Sequence, residues 1–228
     1  MTFIKQKKLV LFGNSAFAEI AYEYFTQDSE YEVVAFTVSR EYLKEKSLFG
    51  LPVVAFEEID FLYPPVDYEM HIALVYNSLN RVRRQFYLDA KEKGYKLANY
   101  ISTRSFVWRN VEIGDNVFIF EDNTIQPFVK IGSNNVFWSG NHIGHHSLIG
   151  SHNFISSHVV VSGFCTIGDN NFFGVNSTMG NNLNVGSDCL IGSFVHIVRH
   201  VADGALMKGS PSVVDEKSTW TKLKIGKL

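Results

Sequence analysis

Five of the eight histidines in this chain lie within seventeen residues, at His142, His145, His146, His152 and His158. Neutral imidazole can take a proton near physiological pH, hold a metal, or simply sit in solvent. The adjacent pair His145-His146 is the densest point of the cluster. For a metal, His142-x-x-His145-His146 lacks a neighbouring cysteine or carboxylate to complete a set, and an extended strand points adjacent residues to opposite sides. Two further groups of residues could meet a ligand. Gly13-Asn14-Ser15 stands where a strand turns into a helix, so its amides could cradle a phosphate, although a plain turn needs the same residues. Arg81, Arg83 and Arg84 either face such a phosphate or line an exposed helix.

The element that must position the histidines is a repeat. From Ile101 to Ile197 every sixth residue is apolar, seventeen in succession, and Ile-Gly or Val-Gly recurs every eighteen residues from Ile113 to Val185. A period of six fits neither an α-helix nor a simple strand, so it describes a stacked supersecondary unit. Three sixes close one coil of a parallel β-helix, and seventeen make five to six coils. Corners such as Gly114-Asp115-Asn116 and Gly132-Ser133-Asn134 use residues that tolerate positive φ. This phase points all five clustered histidines outward, so none is a core histidine. Cys165 and Cys189 fall two residues before inward positions, on different faces of the prism, and read as inert buried thiols.

Residues 1–100 hold 26 charged residues whereas 101–197 hold nine, which puts a boundary near Tyr100. Before it, strands over Leu9–Phe12, Val33–Val38, Leu51–Ala55, Ile72–Val75 and Leu97–Ile101 alternate with helices over Phe17–Phe25 and Asn80–Lys93. That order makes a small parallel sheet with its ligand loops beyond the strands' carboxyl ends, at 13–16, 37–40 and 76–81. The net charge of −2 makes no case for nucleic acid or an anionic membrane. No apolar run is long enough for a signal peptide or a membrane span, so the chain reads as cytoplasmic.

On these features the chain resembles the hexapeptide-repeat acetyltransferases of bacterial glycan pathways, the bacillosamine and perosamine N-acetyltransferase and sialic acid O-acetyltransferase type. The resemblance covers nearly the whole chain, from strand-Gly-turn-helix through the repeat to Gly209-Ser210-Pro211-Ser212, similar to the family's Gly-Asn-Pro-Ala. Its best local match is Ile143-Gly144-His145-His146-Ser147-Leu148-Ile149-Gly150. The resemblance implies a Rossmann-like acceptor domain (1–100), a left-handed β-helix (101–198) and a C-terminal segment covering the cofactor (199–228). It implies a homotrimer with active sites between subunits, and acetyl-CoA as co-substrate with no metal.

Residue by residue, the resemblance makes His145 the general base, with His146 standing where the family has an acidic residue. Phe154, Gly163, Val175 and Ser193 match cofactor-binding positions, Phe154 replacing a histidine, and Ala205 to Ser212 matches the loop over the cofactor's distal end, with Arg199 and Lys208 toward its phosphates. Gly13, Asn14, Ser15, Asn77 and Arg81 match acceptor-binding positions. Ala16-Phe17 and Val38-Ser39 depart from the family's glycine-histidine and acidic pairs. The leading expectation is N-acetylation of a nucleotide-linked amino sugar for surface glycans such as O-antigen. Sugar O-acetylation, a zinc enzyme akin to γ-class carbonic anhydrases, and a non-catalytic trimeric scaffold remain alternatives. Against the zinc enzyme, Asn181 and Asn182 stand two coils beyond His145 and His146, where a further histidine ligand would be needed.

Overall fold

The computed structural model describes residues 3–212, 214, 216–224 and 226. The first hundred residues form a five-stranded sheet from β1 (Lys7–Phe12), β2 (Tyr31–Val38), β3 (Ser47–Leu48), β4 (Leu51–Ala55) and β5 (Glu69–Ile72). Its order is β3-β4-β2-β1-β5, parallel except for the β3/β4 hairpin. Helices α1 (Ala16–Gln27) and α2 (Ile59–Leu62) precede β2 and β5 respectively, and α3 (Arg81–Glu92) follows β5. Gly94, at φ +90°, ends α3 in the conformation that glycine adopts most cheaply.

β1 and β2 begin two residues earlier than expected, and two later strands depart further. The strand expected over Ile72–Val75 lies earlier, at Glu69–Ile72, because Tyr63-Pro64-Pro65 ends before it and Leu74 and Val75 turn away to offer their carbonyls to Arg83. The strand expected over Leu97–Ile101 is divided. Leu97 bridges Met70 in the sheet, whereas Tyr100–Ile101 pairs with Phe118–Ile119 and already belongs to the repeat.

From Tyr100 to Met207 the chain is a three-faced prism of two-residue parallel strands, with faces of seven, six and five strands. Through His196–Ile197 each strand pairs with the one eighteen residues away, as at Phe137↔Ile155 and Ile143↔Val161. The inward positions from Ile119 to Ile197 are at most 4% exposed. Ile101 is 38% exposed, and Val107 and Ile113 are half-buried, because an end coil has no coil beneath it. At the other end the prism exceeds the expected limit of 198, since Leu206–Met207 adds a strand beside Leu190–Ile191. Cys165 and Cys189 are free and buried, as expected, each thiol donating to a carbonyl (Gly180 and Ala202).

The sheet domain sits on the seven-stranded face. The outward residues of that face, Tyr100, Phe118, Val136 and Phe154, are buried against Phe17, Ala21 and Phe25 of α1, with Phe172 packed beside them. Phe17 meets Phe118 edge-on at 5.5 Å, and Phe25 meets Tyr100 at 5.4 Å. Aromatic burial of this kind holds the two halves in one arrangement. Asn80, at φ +66°, donates across the junction to the Asn171 carbonyl at 2.9 Å.

Candidate active site

His145 and His146 occupy the corner between the six-stranded and five-stranded faces, after His142–Ile143 and before Leu148–Ile149, and both are exposed. Successive corners stack, so eighteen residues of chain separate neighbours along this edge. The His145 amide donates to Gln126 Oε1 at 2.9 Å, one coil below. One coil above lies Gly163, where a β-carbon would meet His145 Cε1 at 2.8 Å and Nε2 at 2.9 Å. Gly163 therefore has a definite role, since its bare backbone is the seat of the imidazole. The His145 and His146 Nδ1 atoms are 3.1 Å apart. Chemically, this is an exposed imidazole held by a hydrogen bond and a flat floor, with room for a substrate.

The other positions expected to meet the cofactor lie elsewhere on the chain. Val175 and Ser193 are exposed at the corner between the seven-stranded and six-stranded faces, a different edge from His145. Ser193 lies under the segment matched to the cofactor loop, where a β-carbon on Gly209 would press against the Ser193 carbonyl. Phe154 is only 4% exposed. It packs with Tyr76 (4.9 Å), Trp138 and Phe172 beneath the sheet domain, because the segment after β5 and Arg83 of α3 cover its strand. The structure thus brings His145, His146 and Gly163 together, leaves Val175 and Ser193 on another edge, and withdraws Phe154 into the domain junction.

In the sheet domain, Gly13, Asn14, Ser15 and Asn77 converge on a cleft of about 280 Å³, with Val38, Ser39, Tyr42, Leu74, Val82 and Phe86. Gly13 sits at φ +130°, and a β-carbon there would lie 2.9 Å from the Ala73 carbonyl, so glycine is required. Arg81 is not part of this cleft; it turns to the prism and pairs with Asp188 at 3.0 Å. Arg83 departs furthest from expectation. It is fully buried, and its guanidinium donates to the carbonyls of Leu74, Val75, Asn134, His152 and Asn153, clamping the loop after β5 to two coils of the prism. Burial draws its pKa down, but the five carbonyl acceptors favour the cation. Nothing in a single helical turn of three arginines distinguishes the one that a neighbouring domain covers.

His152 also corrects the expectation that every clustered histidine is free. It points outward from the prism yet is buried under α3, with Asn134 Nδ2 2.9 Å from its Nδ1 and the Tyr87 ring at 5.4 Å. Burial, with Arg84 and Arg83 nearby, draws its pKa down to about 4. The His158 ring presses on Gly140, which takes φ +76°. Among the described residues, no group of three or more His, Cys, Asp or Glu side chains is arranged to hold a metal ion. Sequence reasoning overlooked Phe128 and Phe164 beside His146. Their eighteen-residue spacing about position 146 was the available signal.

The profile of bacterial transferase hexapeptide (six repeats) matches residues 110–145. No curated protein matches the chain significantly in sequence. Among solved structures, the acetyltransferase domain of PglB from Neisseria gonorrhoeae is 23% identical with a TM-score of 0.78, covering 90% of this chain and 98% of that one. PerB from Caulobacter crescentus, solved with CoA and GDP-perosamine, is 21% identical with a TM-score of 0.78 over 91% of this chain and 97% of its own. A substituted perosamine N-acetyltransferase from the same organism is 19% identical, with a TM-score of 0.64 over 92% and 97%. The chain, sheet domain and hexapeptide prism together, is therefore similar in fold along about nine-tenths of its length to these acetyltransferases.

Proposed function

We propose that the protein is an acetyl-CoA-dependent N-acetyltransferase acting on a nucleotide-linked amino sugar, with His145 as general base. The observation that carries this reading is the exposed His145 imidazole on its Gly163 seat, in a chain whose fold follows PglB and PerB along about nine-tenths of its length. Of those proteins, the PglB domain is also solved with acetyl coenzyme A and PerB with GDP-perosamine. His145 takes the proton that the acceptor nitrogen loses as that nitrogen joins the acetyl carbon, and the proton can then pass to the departing thiolate. Acetyl-CoA supplies the activated acyl group. The residues fit it through an open edge with a bare glycine beside the base.

In this reading the protein is a cytoplasmic homotrimer with left-handed coils, and the groove between prisms brings the His145 edge of one subunit to the Val175 and Ser193 edge of the next. The Rossmann-like sheet domain offers its Gly13-Asn14-Ser15 cleft to the nucleotide, with Asn77 and Tyr42 at its mouth. Surface-glycan synthesis is the setting that such an acceptor suggests. No helix among the described residues is long and apolar enough to cross a membrane.

The test is release of free CoA thiol from acetyl-CoA across a panel of nucleotide-linked amino sugars, with mass spectrometry of the product. His145→Ala should lower turnover by ~10²–10⁴ while the melting temperature hardly moves. Full turnover by that variant would remove His145 from the chemistry, and acetylation of a hydroxyl instead of an amine would reassign the reaction to O-acetylation.

A further inference from the structure

Phe128, His146 and Phe164 stand at the same place of three successive corners, each in the left-handed region at φ +66°, +59° and +57°. Equivalent corner residues of stacked coils are one strand spacing apart, so their rings must stack. The His146 ring is 4.6 Å from Phe128 (30° between planes) and 4.8 Å from Phe164 (19°), an imidazole held between two phenyl faces. The His145 ring stands perpendicular to it, at 88°, with the two Nδ1 atoms 3.1 Å apart.

Two facing Nδ1 atoms share one proton, so one ring donates and the other accepts. If His146 donated, His145 would carry its proton on Nε2 and have no free lone pair at the Gly163 seat. If His145 donates, its Nε2 is free, and it can take a second proton there without disturbing the Nδ1 bond. Only the second arrangement serves both states of a general base. No carboxylate stands in the corners along this edge. They hold Trp108-Arg109-Asn110 and Gln126-Pro127-Phe128 below, and Ser162-Gly163-Phe164 and Gly180-Asn181-Asn182 above, with Arg199 and His200 farther on. The Phe164 ring, 5.0 Å from His145, supplies an aromatic neighbour to the cation where a carboxylate is missing.

We propose that His146 is a positioning residue: locked in the Phe128–His146–Phe164 stack as the neutral Nε2–H tautomer, it accepts the His145 Nδ1–H bond and so presents His145 Nε2 as the base. This rests on the function proposed above, in which His145 is the base. The proton bookkeeping is simple. The acceptor's proton moves to His145 Nε2, the Nδ1 proton stays in its bond to His146, and the Nε2 proton leaves with the thiolate.

The experiment is ¹⁵N NMR of the histidine side chains in the intact protein, with His145→Ala and His146→Phe giving the assignments. Phenylalanine already fills this place one coil above and below, so His146→Phe should keep the stack. We expect His145 in the Nδ1–H form and His146 in the Nε2–H form at neutral pH, with His145 reverting to a mixture in His146→Phe. An Nε2–H His145 in the unsubstituted protein, or a tautomer unchanged by His146→Phe, overturns the proposal without any need for substrate. In turnover, His146→Phe should lower kcat roughly 10–100-fold at constant KM. His146→Asp should recover most of it and move the acid limb of kcat/KM up by about one pH unit, since a carboxylate raises its partner's pKa. If His146→Phe keeps full kcat and an unchanged profile while His145→Ala is inactive, the positioning role fails and the acetyltransferase reading stands. If His145→Ala is also fully active, the base itself is misassigned.

Discussion

His146 and His152 occupy the same place in consecutive corners of one prism, both in left-handed conformation at φ +59° and +63°, yet their surroundings are opposite. His146 stacks between Phe128 and Phe164 on an open edge. His152 belongs to a column of polar corner residues with Asn134 and Asn170, bonded to Asn134 and roofed by Tyr87 and the buried Arg83. Coil geometry is the same at the two edges, so it decides only that equivalent corner residues lie one above another. The sheet domain covers one edge and leaves the other open, and that cover turns one histidine into scaffold and leaves its counterpart available for chemistry.

The comparison is broken most severely at Arg83. Arg83→Met removes the cation shared by five carbonyls and leaves several of them buried without a donor, so a loss of about 3–5 kcal/mol of stability is expected. Denaturant unfolding should show this directly, and a change below ~1 kcal/mol would mean that the junction does not depend on the clamp.

A smaller effect is the pH dependence of folding at the covered edge. The pKa values of His152 and of His71, a buried residue of β5 in the sheet domain, are both drawn down to about 4, in each case chiefly by burial, whereas an unfolded histidine titrates near ~6.5. Between these values the unfolded chain binds more protons than the folded one, so stability falls as pH is lowered from about 6.5 toward 4, and above that window these groups add no slope. His152→Asn, which can keep the Asn134 hydrogen bond, should reduce the slope by up to about 1.4 kcal/mol per pH unit. Melting curves from pH 7 to pH 4.5 measure it, and an unchanged slope would show that His152 is not neutral in the fold.

The smallest effect belongs to the open edge, where stability has little at stake. Phe128→Ala should change folding stability by less than about 1 kcal/mol, because the ring is 55% exposed. A calorimetric loss as large as that of Arg83→Met would show that the open edge is structural after all.

Much of this arrangement was readable beforehand. The hexad phase placed Ile119 to Ile197 inward, put both cysteines in the core and brought His145 and His146 out, because side-chain direction in a coil follows chain position alone. The helices at Ala16–Gln27 and Arg81–Glu92 followed from periodicity and from the stop at Gly94. Gly13, Asn14, Ser15 and Asn77 line one cleft because loops at the carboxyl ends of parallel strands share one side of a sheet. The unexpected placements of Arg81, Arg83, His152 and Phe154 have a common origin, since all four lie where the sheet domain meets the prism. A second periodicity pointed to that junction: Tyr100, Phe118, Val136, Phe154, Phe172 and Leu190, eighteen apart, make one face apolar outside as well as inside.

By itself, then, the sequence determined the coil, its phase and the identity of each corner residue, because these are local and repeat with the chain. Tertiary structure decided which face the sheet domain covers, and with it whether a cation or an imidazole is buried or open to water. Docking two surfaces depends on residues some seventy positions apart, such as Arg83 and Asn153, and no local period encodes that distance.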